Sequence, residues 1–166
     1  MKNFPIKAED GKTYWVSRAI GVSGIVFYAT DSDIFVLANK RGKNTPDFQG
    51  MWNLPCGYLD FDETTKEACS REVYEETGIK VAPDKWKLLE IADSPTQNKQ
   101  NVTIRYYYCI TNPQPKDISL GSNVEDRGGE EGEVETIAWI NIKDIDNYEW
   151  AFNHSKIIKE LFKEII

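Results

Sequence analysis

The stretch from residue 57 to residue 79, GYLDFDETTKEACSREVYEETGI, constrains the chain more than any other. Thr64 with Glu67 three residues later forms a capping box, and Gly78 stands where a helix commonly ends, so the pattern predicts a helix over 64–77. At about 100° per residue, Glu72, Glu75 and Glu76 share an arc of roughly 100°. The apolar Ala68, Cys69 and Val73 fall in an arc centred close to Glu76. A merely solvated acidic face would lie opposite the apolar stripe. Here the carboxylates point along it, towards the body of the protein.

Three carboxylates crowded at a half-buried edge repel one another and are costly to ionise without a counter-charge. Hard divalent cations, Mg²⁺ or Mn²⁺, suit oxygen ligands, and Mg²⁺ is usually shared between one or two carboxylates, water and substrate phosphate. This reading points to a metal site for a phosphorylated ligand. The same spacing suits a solvated helix braced by i,i+4 pairs such as Arg71–Glu75, and geometry alone does not separate the two.

The remaining sequence narrows the setting. With 20 Lys and Arg against 27 Asp and Glu, the net charge is −7, against a main role in coating nucleic acid or anionic membrane. A bound metal can still supply local positive charge for a small anion. Cys56, Cys69 and Cys109 are odd in number and lack CxxC spacing, which favours reduced thiols over a disulfide framework or zinc site. No signal-peptide pattern or membrane-length apolar run is visible, so the expectation is a single cytoplasmic domain over 1–166.

Strand-like runs occupy 14–28, 34–38, 52–54, 86–91, 102–110 and 134–142. A second, amphipathic helix is expected from the spacing of Ile157, Ile158, Leu161, Phe162 and Ile165. A basic loop covers 40–50, and a Gly-, Asn- and acid-rich segment covers 111–133, a length usual for functional loops.

The stretch 57–79 resembles the Nudix box, G-x5-E-x7-R-E-U-x-E-E-x-G-U with U aliphatic, and is matched by Gly57, Glu63, Arg71, Glu72, Val73, Glu75, Glu76, Gly78 and Ile79. Seven fixed identities at ~7% usage each would arise by chance with a probability on the order of one in ten million. The flanking Phe35–Arg41 run, the Trp52-Asn53-Leu54-Pro55 approach and the late Trp139 are also similar to the family. Cys56 stands where Nudix proteins usually have a glycine, as does Asp62 before the first motif glutamate. These departures bear on loop geometry rather than on metal ligands.

The resemblance implies an α/β fold, a Nudix-type α/β/α sandwich with a mixed sheet between the two helices. It also implies Mg²⁺- or Mn²⁺-dependent hydrolysis of a pyrophosphate bond in a nucleoside diphosphate derivative, by water attack on phosphorus. Carried over residue by residue, Glu75 and Glu76 are the main metal ligands, with Glu72 a further ligand or the base. Arg71 orients the glutamates, Glu63 reaches the metal or supports it, and Gly57 and Gly78 meet backbone requirements. Glu133, before Trp139, is the expected additional catalytic carboxylate, with Glu135 next and Glu130 and Glu131 in the same acidic group.

Arg41, Lys40 and Arg105 are candidate substrate cations, Arg41 first because it directly precedes the loop leading to the motif, with Arg18 a further one; for any one of them a solvated surface charge is the commoner reading. His154 reads as a packing or capping residue, and most of Trp15, Trp52, Trp86, Trp139 and Trp150 as core. The expected partner is a small nucleotide derivative, with no nucleic acid or membrane and with a homodimer possible. A rival within the fold is a silent nucleotide-sensing module, which the intact motif disfavours. A regulatory metal-binding protein lacks EF-hand spacing. Sugar nucleotides, ADP-ribose-like compounds, dinucleoside polyphosphates and damaged nucleoside triphosphates all remain candidate substrates.

Overall fold

The computed structural model describes residues 2–96, 98–120, 129 and 131–165. In chain order these form β1 (Phe4–Lys7), β2 (Thr13–Val16), β3 (Ala19–Ala29), β4 (Ile34–Arg41), β5 (Trp52–Asn53), β6 (Cys56–Tyr58), α1 (Thr65–Thr77), β7 (Lys87–Ala92), β8 (Asn101–Ile110), β9 (Val134–Asn141) and α2 (His154–Ile165). β3 is the spine of the main sheet, whose order is β5-β4-β3-β8-β7, with β6 also pairing on β3 and β9 on β4. β3 and β8 run parallel over ten residue pairs, while the other pairings are antiparallel. The sheet is therefore mixed.

Strand alternation divides the core into two layers. Val22 and Val26 of β3 pack with Leu37, Tyr106 and the α1 residues Ala68, Cys69 and Val73. Ile25 and Phe27, on the other face, pack with Val36, Ala38, Leu54 and the α2 residues Ile157, Ile158, Leu161 and Phe162. The sheet lies between the helices, as the resemblance implies. α1 rests closely on β3 at Gly24, where a Cβ would stand 2.6 Å from Val73 and 3.0 Å from Cys69.

The α1 boundaries follow the chemistry read from the sequence. Thr64 and Glu67 cap one another reciprocally, and Gly78 closes the helix in the left-handed region at φ 79°. Other elements differ from expectation. The run 14–28 divides into β2 and β3 at Ser17-Arg18, where the Arg18 guanidinium donates to the carbonyls of Asp93, Asn98 and Asn101. β1 pairs only with β2, in a separate two-stranded sheet on which Trp15 is 70% exposed. Trp86, by contrast, is buried and donates to Ser70. Residues 121–128 and 130, and with them the Glu130 candidate, lie outside the described part; the described start of the 111–133 loop carries a 3₁₀ turn at Pro115–Asp117. Among the described residues no helix is long and apolar enough to cross a membrane.

Candidate active site

The site is assembled where α1 meets β6. The short strand β6 is held on β3 by the register Gly21↔Tyr58, Val22↔Gly57 and Ser23↔Cys56, so its backbone faces the helix at a fixed height. The Cys56 N–H donates to Glu76 Oε2 at 3.1 Å. Gly57 leaves the space that Glu72 fills: a Cβ there would lie 2.1 Å from Glu72 Oε1. The glycine requirement at this position is thus a cavity for a carboxylate.

Arg71 ties the cluster together. It donates to Glu63 through Nε (3.0 Å) and Nη2 (2.6 Å), to Glu72 (2.8 Å) and Glu75 (3.2 Å) through Nη1, and to the Tyr58 carbonyl (3.0 Å). Glu63 also accepts from the Asp60 N–H. One guanidinium therefore spans three of the motif glutamates, with geometry suited to charge-assisted bonds.

Electrostatics separate the carboxylates. The Arg71 bonds, aided by the Asp60 N–H, hold Glu63 below the usual carboxylate range. Burial pushes Glu72 up to about 7 against the opposing pull of Arg71, and Glu75 and Glu133 add repulsion. Glu75 is raised by burial and by Glu133 and Glu63, again against Arg71. Glu76, only 3% exposed, is raised well above its ordinary value by burial, then by Glu72 and Glu133. Glu133 thus acts on Glu72, Glu75 and Glu76 alike.

Crowded oxygen donors whose ionised form is disfavoured by burial and by one another fit a hard divalent cation. Among the described residues no three His, Cys, Asp or Glu side chains converge as a ready-made metal cage.

The structure thus brings Glu63, Arg71, Glu72, Glu75, Glu76, Glu133 and Gly57 to one place, with Gly78 ending the same helix. The cations are distributed differently. Lys40 pairs with Glu135 at 2.8 Å. Arg41 holds Asp47 through both Nε and Nη2 and lies 4.9 Å from the Phe152 ring centroid, yet it stands near enough to draw Glu76 downward. Arg105 pairs with Glu90 at 2.6 Å and lies beside Ser23, on the α2 face of the sheet. Arg18 is committed to three carbonyls. His154 is buried, accepts the Leu54 N–H on Nδ1 at 2.9 Å and is held neutral, its pKa lowered to about 3 by burial and by Arg105 and Arg41. The packing role read from the sequence matches that placement.

Sequence reasoning missed the backbone partners, namely the Cys56 N–H, the Tyr58 carbonyl and the Asp60 N–H. It also missed a bracket between the 40–50 loop and the approach to β9. Backbone groups have no side-chain signature; the signals available were the glycines Gly42 and Gly132.

Comparison with known proteins agrees with this geometry. The NUDIX domain profile matches residues 18–161. An ADP-ribose pyrophosphatase of Methanocaldococcus jannaschii is 32% identical over 160 residues, 95% of this chain and 82% of that protein. Phosphatase NudJ of Escherichia coli is 46% identical over 83 residues, 46% of this chain and 52% of its own length. Among solved structures, the NUDIX domain of Shewanella oneidensis NrtR, complexed with ADP ribose, superposes with a TM-score of 0.71 at 20% identity, covering 91% of this chain and 90% of that one. At that identity the likeness concerns the fold. The profile match over most of the chain, falling on a capped helix whose glutamates gather around one arginine, places this protein in the Nudix hydrolase family.

Proposed function

We propose that this protein hydrolyses the pyrophosphate bond of a nucleoside diphosphate derivative in a reaction dependent on Mg²⁺ or Mn²⁺, with ADP-ribose-like compounds as the substrate class. The observation that carries the reading is the gathering of Glu72, Glu75, Glu76 and Glu133 at one edge of α1, where burial and mutual repulsion disfavour ionisation of Glu72 and Glu76 until a cation is present. The substrate class is supported by the relative named an ADP-ribose pyrophosphatase, similar along 95% of this chain.

Glu75 and Glu76 would hold the cation, with Glu72 and Glu63 the adjoining carboxylates. When bound, such a cation neutralises pyrophosphate charge, polarises the phosphoryl group and makes water more acidic. Arg71 fixes Glu72 and Glu75 in orientation and keeps Glu63 ionised. Glu133, which acts on Glu72, Glu75 and Glu76 from outside α1 and, like Glu76, has no bond to Arg71, is the proposed acceptor of the proton from the attacking water, with Glu72 the alternative. Lys40 and Arg41 are the proposed phosphate contacts. Their present partners Glu135 and Asp47 are about half exposed (52% and 53%), so a phosphate can compete for each cation from the solvent side. Arg105, on the opposite face, is proposed only for a substrate portion that extends there.

The test is product analysis over a panel of sugar nucleotides, ADP-ribose, dinucleoside polyphosphates and nucleoside triphosphates, with Mg²⁺, Mn²⁺ or a chelator. The expected result is metal-dependent conversion of ADP-ribose and water to AMP and ribose 5-phosphate. Failure to cleave any compound with either metal, alongside thermal stabilisation by a nucleotide, would put the sensing-module reading in its place.

A further inference from the structure

Glu133 precedes β9, in a stretch whose own sequence, Glu131-Gly132-Glu133, gives it little intrinsic rigidity. Its position is nevertheless fixed from outside. The Gly42 N–H donates to the Glu133 carbonyl at 2.7 Å, and the Asn44 N–H donates to the Gly132 carbonyl at 3.1 Å. The Asn44 side chain adds a third bond, Nδ2 to the Glu131 carbonyl at 2.7 Å. The fit is close on both sides. A Cβ on Gly42 would lie 2.1 Å from the Gly132 oxygen, and a Cβ on Gly132, itself at φ +72°, would lie 2.7 Å from Asn44 Nδ2.

The surroundings brace the donor side of this bracket. Thr45 is buried and donates to the Gly42 carbonyl at 2.8 Å, while Gln49 Nε2 donates to the carbonyls of Lys43 and Thr45. On the acceptor side, the β4–β9 pairing shifts register at Lys40/Arg41, just where β9 begins at Val134. Such irregularities re-aim a side chain beside a site. Among the described residues the hydrogen bonds of Asn44 and Gly42 run to the backbone of residues 131–133 and, for Gly42, to Thr45; none reaches a glutamate of α1.

We propose that Asn44, with Gly42 beneath it, is a positioning residue for the hydrolysis, clamping the backbone of residues 131–133 so that the Glu133 carboxylate is held at the α1 glutamate cluster. The inference rests on the reading that the site hydrolyses a pyrophosphate and that Glu133 takes part. It adds a residue that neither the motif nor charge-based reasoning selects.

The experiment is a double-mutant cycle with Asn44→Ala and Glu133→Gln, assayed on ADP-ribose with Mg²⁺, with Asn44→Asp as a near-isosteric variant lacking the donor. Asn44→Ala and Asn44→Asp are expected to lower kcat by about 10-fold with KM changed less than about twofold. The double variant is expected to be no slower than Glu133→Gln alone, since the clamp acts only through Glu133. In the metal-free protein, amide exchange at Gly42 is expected to accelerate in Asn44→Ala while the α1 amides keep their protection. Additive losses in the cycle, or a wild-type kcat in a folded Asn44→Asp, overturn the clamp and leave the hydrolase reading intact. A wild-type rate for Glu133→Gln overturns the clamp together with the role of Glu133. An inactive wild type with its Gly42 amide protected overturns the hydrolase reading, and the catalytic role of the clamp with it.

Discussion

Replacing Glu72 by Gln tests how the site stores negative charge. Burial holds the Glu72 carboxyl at about 7 in the folded protein, against an ordinary 4.5. That difference corresponds to roughly 3 kcal/mol between the protonated and ionised forms. The folded protein binds this proton more tightly than the unfolded chain does. Its stabilising contribution is therefore complete below about pH 4.5, declines as pH rises, and is gone above about pH 7. Gln fills nearly the same volume and can still accept from Arg71, but it carries no charge.

Urea unfolding of the metal-free protein at pH 5 and pH 8 is the assay. Between those pH values wild type should lose more stability than Glu72→Gln, by an amount approaching 3 kcal/mol. At pH 8 without metal, the variant should be the more stable of the two. Mg²⁺ should narrow the gap by stabilising wild type more. Equal pH dependence in the two proteins, or a variant less stable than wild type at pH 8, would refute the argument that burial strains this carboxylate.

Three further outcomes follow from the geometry. Gly57→Ala places a Cβ 2.1 Å from Glu72 Oε1 and should displace that side chain from Arg71; losing one charge-assisted bond of about 1.5–3 kcal/mol should cost roughly 10- to 100-fold in kcat/KM, read by steady-state kinetics. Thr64→Ala removes the side-chain half of the α1 capping box and should cost about 1 kcal/mol in denaturant unfolding, without altering metal affinity. His154, held neutral by burial with its pKa lowered to about 3, takes a proton in the unfolded chain first, so its contribution is present above about pH 6.5 and declines towards pH 3. His154→Gln should therefore lose stability less steeply than wild type over that window, checked by unfolding at pH 4 and pH 7.

How much of this was legible in the sequence depends on the range of the forces involved. α1, its two caps and the inward set of Glu72, Glu75 and Glu76 are written in i, i+3 and i+4 relations, which are local, so they read correctly. The central strands show through their β-branched and aromatic runs, and the alternation of Val22 and Val26 against Ile25 and Phe27 later supplied both layers of the core. β6 was invisible because Cys56-Gly57-Tyr58 becomes a strand only through its register with Gly21–Ser23 on β3. β1, four residues including Pro5, is likewise defined by its partner β2. Arg41 looked like a free cation ahead of a loop, but Asp47, six residues on, returns to it once the loop folds. The Gly42–Asn44 bracket joins segments some ninety residues apart through two main-chain donors and one asparagine amide, all ending on main-chain carbonyls, which leave little compositional trace beyond the glycines.

The central claim is that buried Glu76, bonded to the Cys56 N–H, belongs to a metal-dependent pyrophosphatase centre. Glu76→Gln keeps the size of the side chain and its ability to accept that bond while removing the charge. The decisive measurement is ADP-ribose hydrolysis by wild type and Glu76→Gln, matched for folding by circular dichroism, with Mn²⁺ binding followed in parallel by electron paramagnetic resonance. The account predicts metal-dependent turnover by wild type, with a loss of at least about a hundredfold in the variant and weakened Mn²⁺ binding. A folded Glu76→Gln that turns over and binds Mn²⁺ like wild type would contradict it.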